Sequence, residues 1–262
     1  MSNDEFIQEL IEIALKAGSA IADIYRDEFE VRVKADGSQV TKADERAEAI
    51  ILKGLGRISP EIPVLAEEAA SIGNIDEIGS ALGSCFYLVD PLDGTREFIN
   101  KTDEFTVNIA LIKNRYPVLG VIYAPILKQL YFAVGGRAYK KSHPQGPVET
   151  IKPKLDQPKK HQSLTAITSR LNNNQQTKKI LSDFDIKEFQ MAGSSLKFCR
   201  LAEGAADIYP RLGRTMEWDT AAGQAILEAA GGSVRVHPTG ERLSYNKKER
   251  GFDNPEFMAF GY

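Results

Sequence analysis

From Phe6 onward apolar residues return at helical spacing: Phe6, Ile7, Leu10, Ile11, Ala14, Leu15, Ala17, Gly18, Ile21 and Tyr25 would share one face of a single long helix. Ser2 and Glu5 stand three apart just ahead of that stripe, as a capping box for its start requires. Phe29, Val31 and Val33 then alternate with polar residues, which predicts a strand, and Asp36-Gly37 predicts a turn. A second helix is expected over about Asp44 to Leu55, entered through Thr41-x-x-Asp44.

The pattern then shortens to compact apolar runs. Pro63–Ala66 and Phe86–Val89 each end directly on acidic residues, and Thr106–Ile112, Val118–Tyr123 and Leu130–Val134 follow, with a polar turn over Lys113–Pro117. Strands in such close succession predict an antiparallel sheet backed by the first two helices. Residues 141–162, rich in Pro, Lys and Gln and without a period, read as a linker. Beyond them strands and helices alternate: strand Leu164–Thr168, a helix around Gln175–Phe184, strand Phe189–Met191, helix Ser195–Glu203, strand Asp207–Arg211, helix Thr220–Ala230 and strand Ser233–Val236. The expected organisation is an N-terminal α+β half over 1–140 and a C-terminal α/β half over 163–262, an α/β fold class overall.

Composition narrows the function. A chain of 262 residues with 42% hydrophobic and 26% charged residues can bury a large core. A formal net charge of −3 argues against a nucleic-acid binder, although bound cations can make a small anionic substrate welcome in an acidic cleft. Cys85 and Cys199 have no neighbours at metal-site spacing and read as reduced, buried thiols. His143, His161 and His237 lie in polar or Pro-flanked segments and read as surface residues, so no His or Cys nucleophile is expected. With no apolar stretch of membrane-crossing length and an acidic, leader-free start, the expected location is the cytoplasm. Peripheral attachment to the inner face of the membrane and the oligomeric state are left open by the residues.

Three segments carry the candidate chemistry: Leu65-Ala66-Glu67-Glu68, Val89-Asp90-Pro91-Leu92-Asp93-Gly94-Thr95 and Glu217-Trp218-Asp219-Thr220-Ala221-Ala222-Gly223. Each sets a carboxylate after an apolar run or at the start of a small-residue helix, where α/β folds build sites. Singly, these are ordinary features: a turn, a solvated acidic pair, a helix cap. Together they describe carboxylates that stay ionised in one pocket only with cations between them. An all-oxygen donor set suits Mg²⁺, which is completed by water and substrate phosphate. Asp90 and Asp93, three apart across a turn, can face one metal pair together with the Leu92 carbonyl. Gly94 lets the backbone approach a ligand, and the amides of Gly94 and Thr95 open a short helix as a phosphate seat.

These motifs, together with Val40-Thr41-Lys42-Ala43-Asp44, resemble the signature of the inositol monophosphatase superfamily of lithium-sensitive phosphatases, from the first helix nearly to Tyr262. The resemblance implies a layered α-β-α-β-α sandwich and two or three Mg²⁺ ions held by Glu67, Asp90, the Leu92 carbonyl, Asp93 and Asp219. It also implies that Thr95 and Asp44 activate the attacking water. By residue type alone Thr41 and Asp44 read as a helix N-cap pair, and Asp44 can serve in both roles. Within the superfamily, Arg96-Glu97-Phe98-Ile99, Glu104–Ile112, Gly193-Ser194-Ser195-Leu196-Lys197-Phe198-Cys199 and Met216–Ala225 are closer to the 3′(2′),5′-bisphosphate nucleotidases than to the inositol phosphatases.

The residues themselves agree with that branch. Ser194 and Ser195 at a helix start, Lys197 in its first turn and Arg211 after a strand would form a second anion site, which a bisphosphate needs. Substrate would then lie against Glu67, Leu92, Asp93, Gly94, Thr95 and Asp219 on the metal side, and against Ser194, Ser195, Lys197 and Arg211 on the other. The expected reaction is loss of the 3′-phosphate from adenosine 3′,5′-bisphosphate, with the 5′-phosphosulfate analogue as a second candidate. The competing expectations are an inositol or sugar monophosphatase and a non-catalytic nucleotide or metal sensor.

Overall fold

The computed structural model describes residues 3–34, 37–73, 75–154, 162–169 and 175–262. In chain order the first part contains α1 (Asn3–Arg26), β1 (Val31–Val33), β2 (Gln39–Thr41), α2 (Lys42–Ile58), β3 (Val64–Ala66), α3 (Glu67–Ile72), α4 (Ile75–Ala81), β4 (Cys85–Asp93), α5 (Thr95–Ile99), β5 (Thr106–Lys113), β6 (Tyr116–Ala124), β7 (Gln129–Val134), β8 (Arg137–Lys141) and β9 (Glu149–Thr150). The second part adds β10 (Leu164–Thr168), α6 (Gln175–Leu181), β11 (Ile186–Met191), α7 (Leu196–Ala202), β12 (Ile208–Arg211), α8 (Glu217–Ala230), β13 (Ser233–Val236) and β14 (Phe257–Phe260).

Two large sheets order these elements: seven strands in the sequence β3-β4-β5-β6-β7-β8-β9 and five in the sequence β11-β10-β12-β14-β13. Strand periodicity decides which residues meet on each face. On β5, Val107 and Ile109 pack with the stripe of α1 and with α2, while Ala110 and Ile112 face the opposite way, toward α7 and α8. The second sheet covers the far side of α7 and α8 through Tyr209, Val234, Phe257 and Ala259, and its outer face meets α6 at Leu181. The layers are therefore α1/α2, seven-stranded sheet, α7/α8, five-stranded sheet and α6, the α-β-α-β-α sandwich.

The middle helix α8 is buried continuously from Thr220 to Leu227, and it lies so close to β6 that a Cβ at Gly120 would stand 2.6 Å from the Ala222 carbonyl oxygen. That contact fixes where the N-terminus of α8, with Asp219, enters the site.

Several expectations change in detail. The start of α8 lies at Glu217 rather than Thr220, because the Asp219 carboxylate itself accepts from the Met216 amide and closes the first turn (2.9 Å). Val31 and Val33 form a strand, but β1 pairs only with β2 and the two valines are 39% and 69% exposed, so their alternation marks no buried face. Only Phe29 of that trio packs onto the α1/α2 core. Tyr116 and Pro117, expected in a turn, belong to β6. Within 141–162, Glu149 and Thr150 pair with Lys140 and Tyr139 and extend the first sheet. Cys85 is half-buried rather than buried, and Cys199 is buried. His143 is exposed and His237 half-buried, while Ser2, Asp36 and His161 lie outside the described residues. Among the described residues no helix is long and apolar enough to cross a membrane.

Candidate active site

The site begins with an irregularity. Asp90 pairs with Asn108 and Asp93 with Thr106, so β4 takes three steps where β5 takes two, and the resulting bulge carries Pro91 and Leu92. The Leu92 amide donates to Asp90 Oδ1 at 3.0 Å. Gly94 follows at φ +93°, and a Cβ there would press to 3.3 Å on the Glu104 carbonyl oxygen and on Ser194 Cβ. The Asp90–Thr95 loop therefore touches the loop 193–195 directly.

Asp44 sits at the start of α2 in a capping box. Its Oδ2 accepts from the Thr41 amide (2.8 Å) and the Thr41 hydroxyl (2.7 Å), while its Oδ1 accepts from Thr95 Oγ1 at 3.2 Å. The cap and the Thr95 contact use different oxygens, so one carboxylate serves both. Burial pushes the Asp44 carboxyl above the usual carboxylate range, against the Thr41 hydrogen bonds that favour its charge.

The other carboxylates show a shared arrangement: each gives one oxygen to a backbone amide. Asp90 Oδ1 takes Leu92 N–H, Asp219 Oδ2 takes Met216 N–H (2.9 Å) and Asp93 Oδ2 takes Ser195 N–H (2.6 Å). The other oxygen of each makes no hydrogen bond among the described residues and is left for a further ligand. Asp90 and Asp219 are pushed well above the usual range, first by burial; Glu67 and Asp93 add to both, and Asp219 adds to Asp90. Asp93 is raised to about 6 by burial, with Lys197 pulling the other way.

Glu67, at the first position of α3, instead pairs with Lys34 Nζ at 2.9 Å, and the same ammonium binds Glu68 at 2.7 Å. As they stand, no three Asp, Glu, His or Cys side chains among the described residues close around one point as an ion requires. The donor set itself, carboxylates each with one committed and one uncommitted oxygen and no nitrogen or sulfur, fits a hard divalent cation.

A stability consequence follows from those raised carboxyls. The folded chain keeps protons that the unfolded chain, with carboxyls ionising near 4, releases, so without divalent cation stability falls as pH rises from about 4 through about 6. The rise in melting temperature on adding Mg²⁺ is expected to be larger at about pH 7.5 than at about pH 5. Equal rises at both values, read by scanning calorimetry, would show that these carboxylates do not meet the cation.

Beyond Asp93 the cleft opens to about 310 Å³, lined by Ser169, Ser194, Lys197, Tyr209 and Arg211 with Asp219 on the near side. Lys197 is 4% exposed, not a solvated surface charge. Its Nζ donates to the carbonyls of Ser194 (2.6 Å) and Ala192 (3.3 Å) and stands 5.4 Å above the Tyr209 ring. Burial lowers its pKa to about 8, with Asp93 opposing. Arg211 Nη2 donates to the Arg214 carbonyl (3.0 Å), while Arg211 Nε and Ser169 Oγ are buried with no hydrogen-bond partner among the described residues.

Ser194 and Ser195 part company. Ser194, at φ +47°, lines the cleft, whereas Ser195 is 1% exposed and its hydroxyl turns inward to Asn108 and Thr106. The structure thus gathers Asp44, Glu67, Asp90, Leu92, Asp93, Gly94, Thr95, Ser194, Lys197, Arg211 and Asp219 around adjoining openings, and leaves the Ser195 side chain behind them. Reasoning from the residues missed Ser169 and Lys34. Ser169 directly follows β10, and the carboxyl end of a parallel strand is the signal that could have found it. Lys34 offered only its charge.

The sequence pattern described as the inositol monophosphatase family matches residues 2–258, and the chain belongs to that family. Within it, the 3′(2′),5′-bisphosphate nucleotidase CysQ of Salmonella typhimurium is 41% identical over 262 residues, which cover 98% of this chain and 100% of the relative. Among solved structures, CysQ from Bacteroides thetaiotaomicron superposes with a TM-score of 0.79 at 38% identity over 97% of this chain and 96% of that one. An inositol monophosphatase from Anabaena gives 0.73 at 26% identity over 98% and 91%.

Proposed function

We propose that the chain is a Mg²⁺-dependent phosphomonoesterase that removes the 3′-phosphate of adenosine 3′,5′-bisphosphate, yielding AMP and phosphate. The observation that carries the reading is the buried ammonium of Lys197, set beside Asp93 in the same cleft as the carboxylates. A simple sugar monophosphate has no use for a desolvated cation there, and a second phosphate does. The likeness to proteins named CysQ supports the same choice.

Glu67, Asp90, the Leu92 carbonyl, Asp93 and Asp219 would hold two or three ions, which supply Lewis-acid activation of water and neutralise charge on the leaving oxygen. The chain's own part is proton handling and orientation. Thr95 Oγ1, between Asp44 Oδ1 and the Leu92 carbonyl, takes a proton from the attacking water as its own passes to Asp44. The water oxygen bonds to phosphorus, the bond from phosphorus to O3′ breaks, and its electron pair leaves with O3′, which takes a proton from solvent water; the hydroxide left behind is neutralised by the proton that Asp44 releases. Lys197, Ser194 and Arg211 hold the 5′-phosphate, and the 5′-phosphosulfate analogue fits the same cradle. The cytoplasm is the compartment this reading assigns.

Phosphate release from the adenosine bisphosphate, the phosphosulfate analogue and myo-inositol 1-phosphate, each with Mg²⁺ and with Mg²⁺ plus Li⁺, tests the proposal. The bisphosphate is expected to exceed the inositol ester by at least about 100-fold in kcat/KM. A preference for the inositol ester, or turnover undiminished by a chelator, would defeat it.

A further inference from the structure

Behind the cleft wall lies a polar trio with no opening to solvent. Thr106 is 0% exposed, and Asn108 and Ser195 are each 1% exposed. Alternation along β5 puts Thr106 and Asn108 on the same face as the apolar Ala110 and Ile112, where hydroxyl and amide groups would be costly without partners. Their bonds form one connected set: Ser195 Oγ donates to Asn108 Oδ1 (2.8 Å), Thr106 and Ser195 hydroxyls meet at 2.8 Å, and Thr106 Oγ1 lies 3.0 Å from Asn108 Oδ1 and 3.3 Å from Ser194 Oγ, a link to the cleft lining.

With its oxygen held by the hydroxyls, Asn108 turns Nδ2 toward Asp93 Oδ2 at 3.4 Å, joining the 2.6 Å bond from the Ser195 amide. The opposite amide orientation would set an oxygen against the carboxylate. Two N–H donors on Oδ2 settle which way Asp93 faces. The peptide that supplies one of them takes Lys197 Nζ on its carbonyl, so the trio lies where the first sheet, the 193–195 loop and the carboxylate meet.

We infer that Asn108, held by Thr106 and Ser195, is a positioning residue that aims Asp93 Oδ1 at the cation site and thereby sets divalent-cation affinity. The inference rests on the reading of Asp93 as a cation ligand. A residue that orients a ligand from behind typically changes metal affinity by about 10- to 100-fold when removed.

The test is Mg²⁺ titration of the substrate-free full chain, followed by calorimetry or by the fluorescence of Trp218, the single tryptophan, which shares an opening with Glu67 and Asp219. Asn108→Ala is expected to weaken Mg²⁺ about tenfold. Thr106→Val, which keeps the side-chain volume and removes only the hydroxyl, is expected to weaken it by about threefold and remains informative if Asn108→Ala does not fold. In turnover the loss is expected in the Mg²⁺ concentration for half-maximal rate, with the rate at saturating Mg²⁺ within about threefold of the parent. A merely structural role would lower the melting temperature and leave the Mg²⁺ affinity of the folded protein unmoved, and that outcome in both variants overturns the inference. A parent that binds Mg²⁺ but ignores the adenosine bisphosphate sinks the proposed substrate instead, and leaves the titration result standing.

Discussion

Asp93→Asn is expected to lower kcat/KM for the bisphosphate by on the order of 10³-fold or more, while the metal-free protein melts no lower than its parent. The two halves of this expectation have one cause. Asp93 is held in a buried cleft with Asp90 and Asp219, and its charge raises the cost of ionising both. An asparagine of the same shape can give its carbonyl oxygen to the Ser195 and Asn108 donors that now hold Oδ2, so the fold loses no bond. Its amide nitrogen then points where the second oxygen had been, presenting two hydrogens to the place proposed for a cation. Repulsion falls, stability holds, and ligation is lost. Circular dichroism and calorimetry read the first result and phosphate release the second. Turnover retained at saturating Mg²⁺ would show that Asp93 is not a ligand.

The parts of this arrangement that were legible in the sequence are those fixed by local rules. The stripe from Phe6 to Tyr25 is a helix because one face of it is apolar over its whole length, and Thr41 with Asp44 is a capping box because a hydroxyl and a carboxylate stand three positions apart at a helix start. The acidic segments were legible because carboxylates directly after buried strands are expensive unless used.

What escaped depends on partners far away in the chain. Ser194 and Ser195 are indistinguishable by type, and only Thr106 and Asn108, on another sheet, draw the second hydroxyl inward. The helix start at Glu217 was hidden because Asp219 serves as its own cap. Val31 and Val33 alternate like a buried strand, yet β2 is the only partner the hairpin finds among the described residues. Ser169 shows its meaning only when β10, α7 and β12 place it beside Lys197 and Arg211.

Lys197→Met is expected to reduce kcat/KM for the bisphosphate by about 100-fold and for a small aryl phosphate by less than about threefold. Methionine keeps the stem that packs in the buried site and removes the charge, so the fold keeps its volume. The large loss arises because the second phosphate then enters a cleft whose desolvated cation has gone, leaving Arg211 and the Ser194 hydroxyl to hold it. A monoester without that phosphate has no second anion to place at this end of the cleft. The small loss allows for the Ser194 carbonyl, which gives up its 2.6 Å bond to the ammonium on the same peptide that donates to Asp93.

The pH profile supplies an independent reading of the same group. Burial holds Lys197 at about 8, so the free enzyme keeps the charge below that value and loses it above. In the parent, kcat/KM for the bisphosphate should therefore fall on the alkaline side of about 8, while the aryl phosphate shows no such limb. In Lys197→Met the limb should vanish for the bisphosphate too. Equal losses on both substrates, or an alkaline limb that survives the substitution, would mean that the ammonium shapes the 193–195 loop and takes no part in choosing the substrate.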